Sequence, residues 1–378
     1  MDVRAIILVG GADSPSHEEW ADNPMALLDV LGAPTLIHTI ERLRAHAVPT
    51  AAVIGRLGTL STSARRSLAG MSLTDSTDTE LWREAENAFT RQVQDGAEFI
   101  VLVRLGCYAE LDYSHLVRVH VERAAKVTSV FDNSGQALDS FVISGQRRND
   151  AAYLLRSRLK SMRNGCVHYT FGGYVNRLQT PADLRLLTIA AFSGEAQLRP
   201  IAREVKPGVW VGERARIQRG ARLLAPCFIG DDARVRANSV VGRCSTVERH
   251  AIVDCGTVLD NASILPHTTV GAGLDIANAI VGFRRLAHLV RQAEIEISDP
   301  KLISVRAAAP VRTLRSAFSL ASFLPVQMIR GLRARKEKAI GRPEAVQTPS
   351  PALKQGASLH EAEEVAAPFI VARRYGND

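Results

Sequence analysis

The most informative stretch of the sequence spans residues 209–270 and reads VWVGERARIQRGARLLAPCFIGDDARVRANSVVGRCSTVERHAIVDCGTVLDNASILPHTTV. An aliphatic side chain recurs at every sixth position, and a small residue such as Ala215 or Ala233 precedes nearly every one by two positions. This spacing predicts short strands joined by regular corners, with the aliphatic side chains pointing to a common axis. The ten aliphatic positions are Val211, Ile217, Leu223, Ile229, Val235, Val241, Val247, Val253, Leu259 and Leu265.

The period of six matches the hexapeptide-repeat pattern and resembles the left-handed parallel β-helix; the left hand comes from the resemblance and not from the spacing. The alternative, a β-sandwich, would alternate with a period of two and turn at irregular intervals. We therefore predict a left-handed β-helix over residues 205–282. Residues 278–290, which follow the repeats, are expected to form a capping segment.

Composition limits the classes of protein. The chain has 378 residues, 46% of them hydrophobic, which excludes wholesale disorder, collagen and coiled coil. No run of about 18 apolar residues is present, so a membrane-spanning helix is not expected. The five cysteines are odd in number and form no C-x-x-C pair, which favours free thiols in the cytoplasm.

The first 200 residues alternate strand and helix patterns, which predicts an α/β domain with a mostly parallel, Rossmann-like sheet. The predicted strands are residues 5–9, 51–54, 99–103, 127–131 and 141–143. The predicted helices are residues 34–47, 79–94, 113–124 and 149–162.

Three segments carry a resemblance to a known family. The strand AIILVGG is followed by Pro24–Leu28, then Val30, Gly32 and Pro34, as in the pattern P-K-P-L-L-P-V-x-G-x-P. Residues 173–187 resemble G-Y-W-x-D-I-G-T-P-x-D-Y, and residues 105–128 resemble a G-D segment with its following helix. Together with the repeats, these segments resemble the sugar-phosphate nucleotidyltransferases. The resemblance implies a GT-A-like nucleotidyltransferase domain followed by the β-helix.

The resemblance also implies a chemistry. In that family two Asp residues hold Mg²⁺, while an Arg of the glycine loop and the Lys of P-K-P stabilise phosphates. Here Met25 stands at the Lys position, Cys107 at the G-D position and Arg177 at the D-I-G-T position. Thiols suit Mg²⁺ poorly, and a guanidinium repels it. Gly10 and Gly11 remain as a residual nucleotide-binding signal, but Gly-Thr-Arg does not follow them.

These departures predict a catalytically degenerate family member that acts as a regulatory or scaffold subunit in nucleotide-sugar or exopolysaccharide biosynthesis. No cofactor is then expected, and the expected partners are a second copy, an active paralogue, or a nucleotide or sugar phosphate. The alternative is an active nucleotidyltransferase that binds Mg²⁺ through Asp13, Asp22 or Asp112. A second alternative is a hexapeptide acyltransferase with His250 or His267 as general base.

The net charge of +8 equals that of residues 303–342 alone, which contain nine basic residues and one acidic residue. Residues 283–342 are predicted to be a basic, amphipathic helical segment, and residues 343–378 a disordered tail. The segment is expected either to lie on an anionic membrane at the inner surface or to pack along the β-helix. Nucleic acid is not an expected partner, because no nucleic-acid-binding motif accompanies the charge. The basic positions are Arg312, Arg315, Arg330, Arg333, Arg335, Lys336 and Lys338.

Overall fold

A computed structural model describes residues 1–10, 19–20, 23–145 and 166–305, and these belong to one compact unit. It is a mixed α/β protein with an N-terminal α/β region up to residue 200 and a C-terminal repeat region of parallel sheets from residue 203. The predicted helix at 149–162, the basic positions from Arg312 onward and the tail lie outside the described residues. The helical prediction for the segment 283–342 was wrong where the structure describes it, because residues there form the strands Arg285–His288, Ala293–Glu296 and Ile303–Val305. None of the described helices is long and apolar enough to cross a membrane.

One seven-stranded sheet forms the centre of the α/β region. Its strands are Val3–Val9 (β1), Thr50–Gly55 (β2), Ser72–Asp75 (β3), Phe99–Arg104 (β4), Val127–Asp132 (β5), Ala137–Ser144 (β6) and Val167–Phe171 (β7). They lie in the order β7–β5–β6–β4–β1–β2–β3. Strand β6 is antiparallel to both of its neighbours, whereas the other paired strands are parallel.

Helices cover both faces of this sheet, as the continuous apolar sequence of β1 requires. Ile7 of β1 belongs to a core shared with the first and fourth helices, whereas Ile6 belongs to a core shared with the third. The helices are Thr35–Ala45 (α1), Thr62–Ser67 (α2), Leu81–Gln94 (α3), Tyr113–Glu122 (α4) and Pro181–Ser193 (α5), with a short 3-10 turn at Met25–Leu27.

Three two-residue ladders connect the loops of the α/β region. Two of them are hairpins close to the 3-10 turn, and the third joins the segment after β4 to the segment before α5. The pairs are Glu19–Trp20 with Asn23–Pro24, Asp29–Val30 with Ala33–Pro34, and Tyr108–Ala109 with Val175–Asn176.

In the repeat region the chain passes through three sheets in rotation, and we call one passage through all three a circuit. Sheet I contains Arg203–Lys206, Val209–Val211, Cys227–Ile229, Ser245–Val247, Ser263–Ile264, Ala279–Gly282, Arg285–His288 and Ala293–Glu296. Sheet II contains Arg216–Ile217, Arg234–Val235, Ile252–Val253, Thr268–Val270 and Ile303–Val305. Sheet III contains Arg222–Leu223, Val240–Val241, Val258–Asp260 and Asp275–Ala277.

The aliphatic residues form one core between the three sheets, as the period of six predicts. Val235, Val247 and Val253 are 0% exposed and belong to it. The prediction was wrong at Leu265: Ile264 occupies the core position and pairs with Val247, while Leu265 faces the α/β region. The reason is a shorter circuit, because Val247 pairs 18 residues after Ile229 but Ile264 pairs 17 residues after Val247.

The outer face of sheet I packs against the α/β region. Phe228 and Ile280 are fully buried there, in one apolar cluster with Trp20, Leu187 of α5 and Leu31. We call this the inter-region contact. Residues of both regions share one apolar cluster in this contact, which fixes their relative position.

Arg185 of α5 carries a charge into this contact. The side chain is 1% exposed and donates hydrogen bonds to the Cys244 carbonyl, to Asn261 Oδ1 at 2.7 Å and to Ser263 Oγ at 3.0 Å. Burial lowers the pKa of this guanidinium to about 10. Its acceptors are neutral oxygens at corners of the repeats, so it binds the repeats without an ion pair.

A second buried polar group joins the hairpin of the α/β region to the repeats. Glu248 accepts hydrogen bonds from the Leu31 and Gly32 amides, both at 3.0 Å, and Asp29 lies 3.2 Å from Arg249. Burial raises the pKa of Glu248 to about 8, with the negative charge of Asp29 adding to the effect. Burial likewise raises the pKa of Asp29 to about 6. The contact buries two carboxyl groups beside a single guanidinium. This arrangement favours the protonated form of a carboxyl group there.

Candidate functional site

The parallel strands of the α/β sheet end at a common edge, where a doubly wound sheet usually binds its ligand. Gly10 follows β1, Asp78 lies beyond β3, Cys107 follows β4 and Asp132 ends β5. The edge therefore collects the residues that the family resemblance singles out after the first and fourth strands, and we call it the carboxyl edge.

Gly10 has a φ of +94°, in the left-handed region that favours glycine. A Cβ atom added there would lie 2.9 Å from the Asp78 carboxylate, so an acidic side chain sits against the glycine turn. That charge opposes a bound triphosphate. Gly11 and Asp13 lie outside the described residues.

Met25 does not lie at the open edge. It begins the 3-10 turn, is 1% exposed and packs in the inter-region contact with Trp20, Leu31 and Tyr108. The position that the resemblance assigns to a phosphate-binding Lys is thus part of an apolar core.

The structure brings Cys107 and Arg177 together. Tyr108 pairs with Asn176 at the end of an antiparallel ladder, and Cys107 and Arg177 are the residues that adjoin this last pair on the two strands. The Cys107 thiol donates to the Leu138 carbonyl at 3.5 Å.

Arg177 is already engaged. Its guanidinium donates to the Ala137 carbonyl at 3.0 Å and forms an ion pair with Asp132. The other oxygen of Asp132 accepts from the Ser134 hydroxyl at 2.6 Å and from the Gln136 amide at 2.9 Å. These donors and Arg177 lower the pKa of Asp132 to about 2. Both oxygens of this carboxylate have partners.

A second ion pair, which sequence reasoning missed, stands beside the first. Arg104 at the end of β4 donates from Nε to Asp139 Oδ2 at 2.9 Å, and Asp139 holds a φ of +48° on the neighbouring strand β6. The register of β6 against β4 puts the two residues opposite each other. A basic residue ending a buried strand, two positions before Gly106, was the available signal.

Of the acidic residues predicted as replacement metal ligands, Asp112 is the one that lies within the described residues. Asp112 caps α4 by accepting the His115 amide at 2.8 Å, and this bond is the main reason why the pKa of Asp112 is lowered. Asp22 lies outside the described residues. In the parts of the chain that the structure describes, no three His, Cys, Asp or Glu side chains are placed to hold a metal ion. A thiol beside an engaged guanidinium does not fit Mg²⁺, so we derive no magnesium-dependent step.

The two histidines proposed as acyltransferase bases are neighbours on the repeats. His250 and His267 stack with ring centroids 4.9 Å apart at successive corners, and His250 Nδ1 lies 3.9 Å from Asp232. The corners carry positive φ values of 56° and 60°. The general-base role stays a prediction.

Neither a protein-family model nor a curated protein sequence matches this chain. The geometry of the carboxyl edge therefore carries the functional argument.

Proposed function

We propose that this chain is a sugar-phosphate nucleotidyltransferase-like protein that has lost catalysis and acts as a regulatory or scaffold subunit in nucleotide-sugar or exopolysaccharide biosynthesis. The repeat region would then be a left-handed parallel β-helix. The strand rotation through three sheets and the aliphatic core between them support the β-helix, and the family resemblance supplies its hand.

One observation carries the loss of catalysis: Cys107 and Arg177 adjoin the same end of one short ladder at the carboxyl edge, and Arg177 is paired with Asp132. In an active relative these two positions would supply the carboxylates for a shared metal ion. A guanidinium there neutralises the nearby acid instead of the substrate's phosphates. Arg177 and Asp132 are therefore neutralised by each other.

The test is a pyrophosphate-release assay on the full chain with Mg²⁺, across nucleoside triphosphates and hexose 1-phosphates. We expect no release above that of an enzyme-free control. Calorimetry should also detect no magnesium-dependent binding of GTP or ATP. Magnesium-dependent pyrophosphate release by the wild-type chain would establish the active alternative.

The basic segment is a second point at which the proposal can be tested. Vesicle flotation of the full chain and of a chain lacking residues 306–342, which keeps the strand Ile303–Val305, separates membrane binding from packing on the repeats. Flotation that depends on this segment and on anionic lipid supports a membrane-associated scaffold. Equal flotation of both chains removes that part of the proposal.

A further inference from the structure

The repeat region is covered at its last circuit and open at its first. Ile303 of the last strand in sheet II is 1% exposed, and Ile297 is 7% exposed. In the first circuit Ile217 is 40% exposed, although its equivalents in the next two circuits, Val235 and Val253, are fully buried. A stack of repeats whose end exposes core residues is incomplete as a soluble surface.

Two strand edges are open at the same end. Arg216–Ile217 is the end strand of sheet II and Arg222–Leu223 is the end strand of sheet III, each paired on one side. Their outer backbone groups can pair with a further strand, as sheet edges do in β-augmentation. Leu224, 47% exposed, lies next to the second edge.

This end is also basic. Residues 203–222 contain six basic and two acidic residues, for a net charge of +4. Arg216, Arg219 and Arg222 are exposed, and within the described ranges none of them has an ion pair with an acidic side chain.

The geometry of the β-ladder determines which side chains of an added strand would face Arg216 and Ile217. A residue opposite Arg216 points outward beside its guanidinium, and the next residue points to the axis over Ile217. The same pair of positions recurs six residues later at Arg222 and Leu223. A matching strand therefore carries an acidic residue followed by an aliphatic one at each edge.

We infer that the first circuit binds an extended segment of a partner protein that carries acidic–aliphatic pairs six residues apart. The segment adds a strand to sheets II and III and covers Ile217. A second copy of this chain would bring a like charge of +4 to the same face, which opposes self-association there. The inference rests on the proposed scaffold role, but it does not use the carboxyl edge.

The test measures fluorescence anisotropy of a labelled synthetic peptide with two Glu-Ile pairs six residues apart, titrated with the full chain. We expect saturable binding that weakens with salt and is absent for the same peptide with Lys in place of Glu. Arg216→Glu should weaken binding at least about tenfold. Arg123→Glu is the charge-matched control, because Arg123 is exposed on the α/β region and the same charge is reversed there, and it should change binding less than about twofold.

An equal loss in both variants, or no binding of the acidic peptide by the wild type, would overturn the inference. So would a dimer in sedimentation that Ile217→Asp dissociates, since the end would then belong to a second copy. Ile295→Asp is the control for that variant, because Ile295 is 42% exposed at the other end. Arg216-dependent flotation with phosphatidylglycerol vesicles, without peptide binding, would assign the end to a membrane. Pyrophosphate release tests the proposed function separately, so either proposal can fail alone.

Discussion

The inter-region contact and the carboxyl edge treat charge in opposite ways. In the contact, Arg185 and Glu248 are each 1% exposed and are held by neutral partners across the two regions. At the edge, Arg177 and Asp132 pair with each other while their side chains are 27% and 18% exposed. Buried polar groups in the contact hold the two regions together, whereas Arg177 and Asp132 at the edge neutralise each other. The most extensively hydrogen-bonded of these polar groups therefore lie in the inter-region contact and not at the predicted site.

Met25→Lys is the strongest way to break this comparison. Because Met25 lies in the contact, the change buries an ammonium without a partner and should lower the free energy of unfolding by about 4 kcal/mol. Met25→Leu, which keeps the volume, should cost less than about 1.5 kcal/mol. Urea unfolding followed by circular dichroism gives both values. If the Lys variant were stable and gained nucleotide binding, residue 25 would have to lie at the carboxyl edge and not in the contact.

Arg185→Ala should have the next largest effect. It removes three hydrogen bonds across the contact and leaves buried acceptors without donors, so we expect a loss of about 3 kcal/mol. Leu186→Ala on the same helix is the control, because Leu186 is 55% exposed and should change stability less than about 0.5 kcal/mol. The measurement is again the free energy of unfolding in urea. Similar losses in both variants would contradict the assigned role.

The pH dependence of stability tests the buried carboxyl groups. The pKa values of Asp29 and Glu248 are raised in the folded chain, so the folded state binds protons more tightly than the unfolded state. Their contribution is complete below about pH 4 and is lost as the pH rises through about 6 and 8. Glu248→Gln, which removes this titration, should therefore gain roughly 4 kcal/mol relative to wild type between pH 5 and 8.5. Parallel unfolding curves for the two chains at every pH would exclude a shared proton.

Arg177→Ala should have the smallest effect. The pKa of Asp132 should rise from about 2 but stay below its usual value, because Ser134 and Gln136 still donate to the carboxylate. The urea midpoint should not change measurably, since the pair is partly exposed. Carboxyl ¹³C NMR titration measures the pKa. A return to the ordinary value would mean that Arg177 alone sets it.

The sequence predicts what repeats and misses what depends on a partner. The period of six identifies the core positions from Val235 to Leu259, and the aliphatic strands β1 and β4 are unambiguous. Strand β3 was missed because its residues Ser72–Asp75 are polar and mostly exposed. Arg185 could not be predicted, because a charge on a helix usually faces water and only the packing of α5 on sheet I buries it. Only the family resemblance gave a reason to expect Cys107 and Arg177, 70 residues apart in the sequence, at one edge of the sheet.

The shortened circuit has a consequence for how the two regions find each other. In a perfectly uniform stack, docking positions one circuit apart, about 4.8 Å, would be nearly equivalent. The omitted residue falls at the corner of Asn261, which accepts from Arg185, and it turns Leu265 outward into the contact. The shortened circuit makes one docking position along the repeats different from the positions one circuit away, so the α/β region fits at that position alone. Inserting a residue after Asn261 would restore a uniform circuit, and the α/β region would then have no single preferred docking position on the repeats.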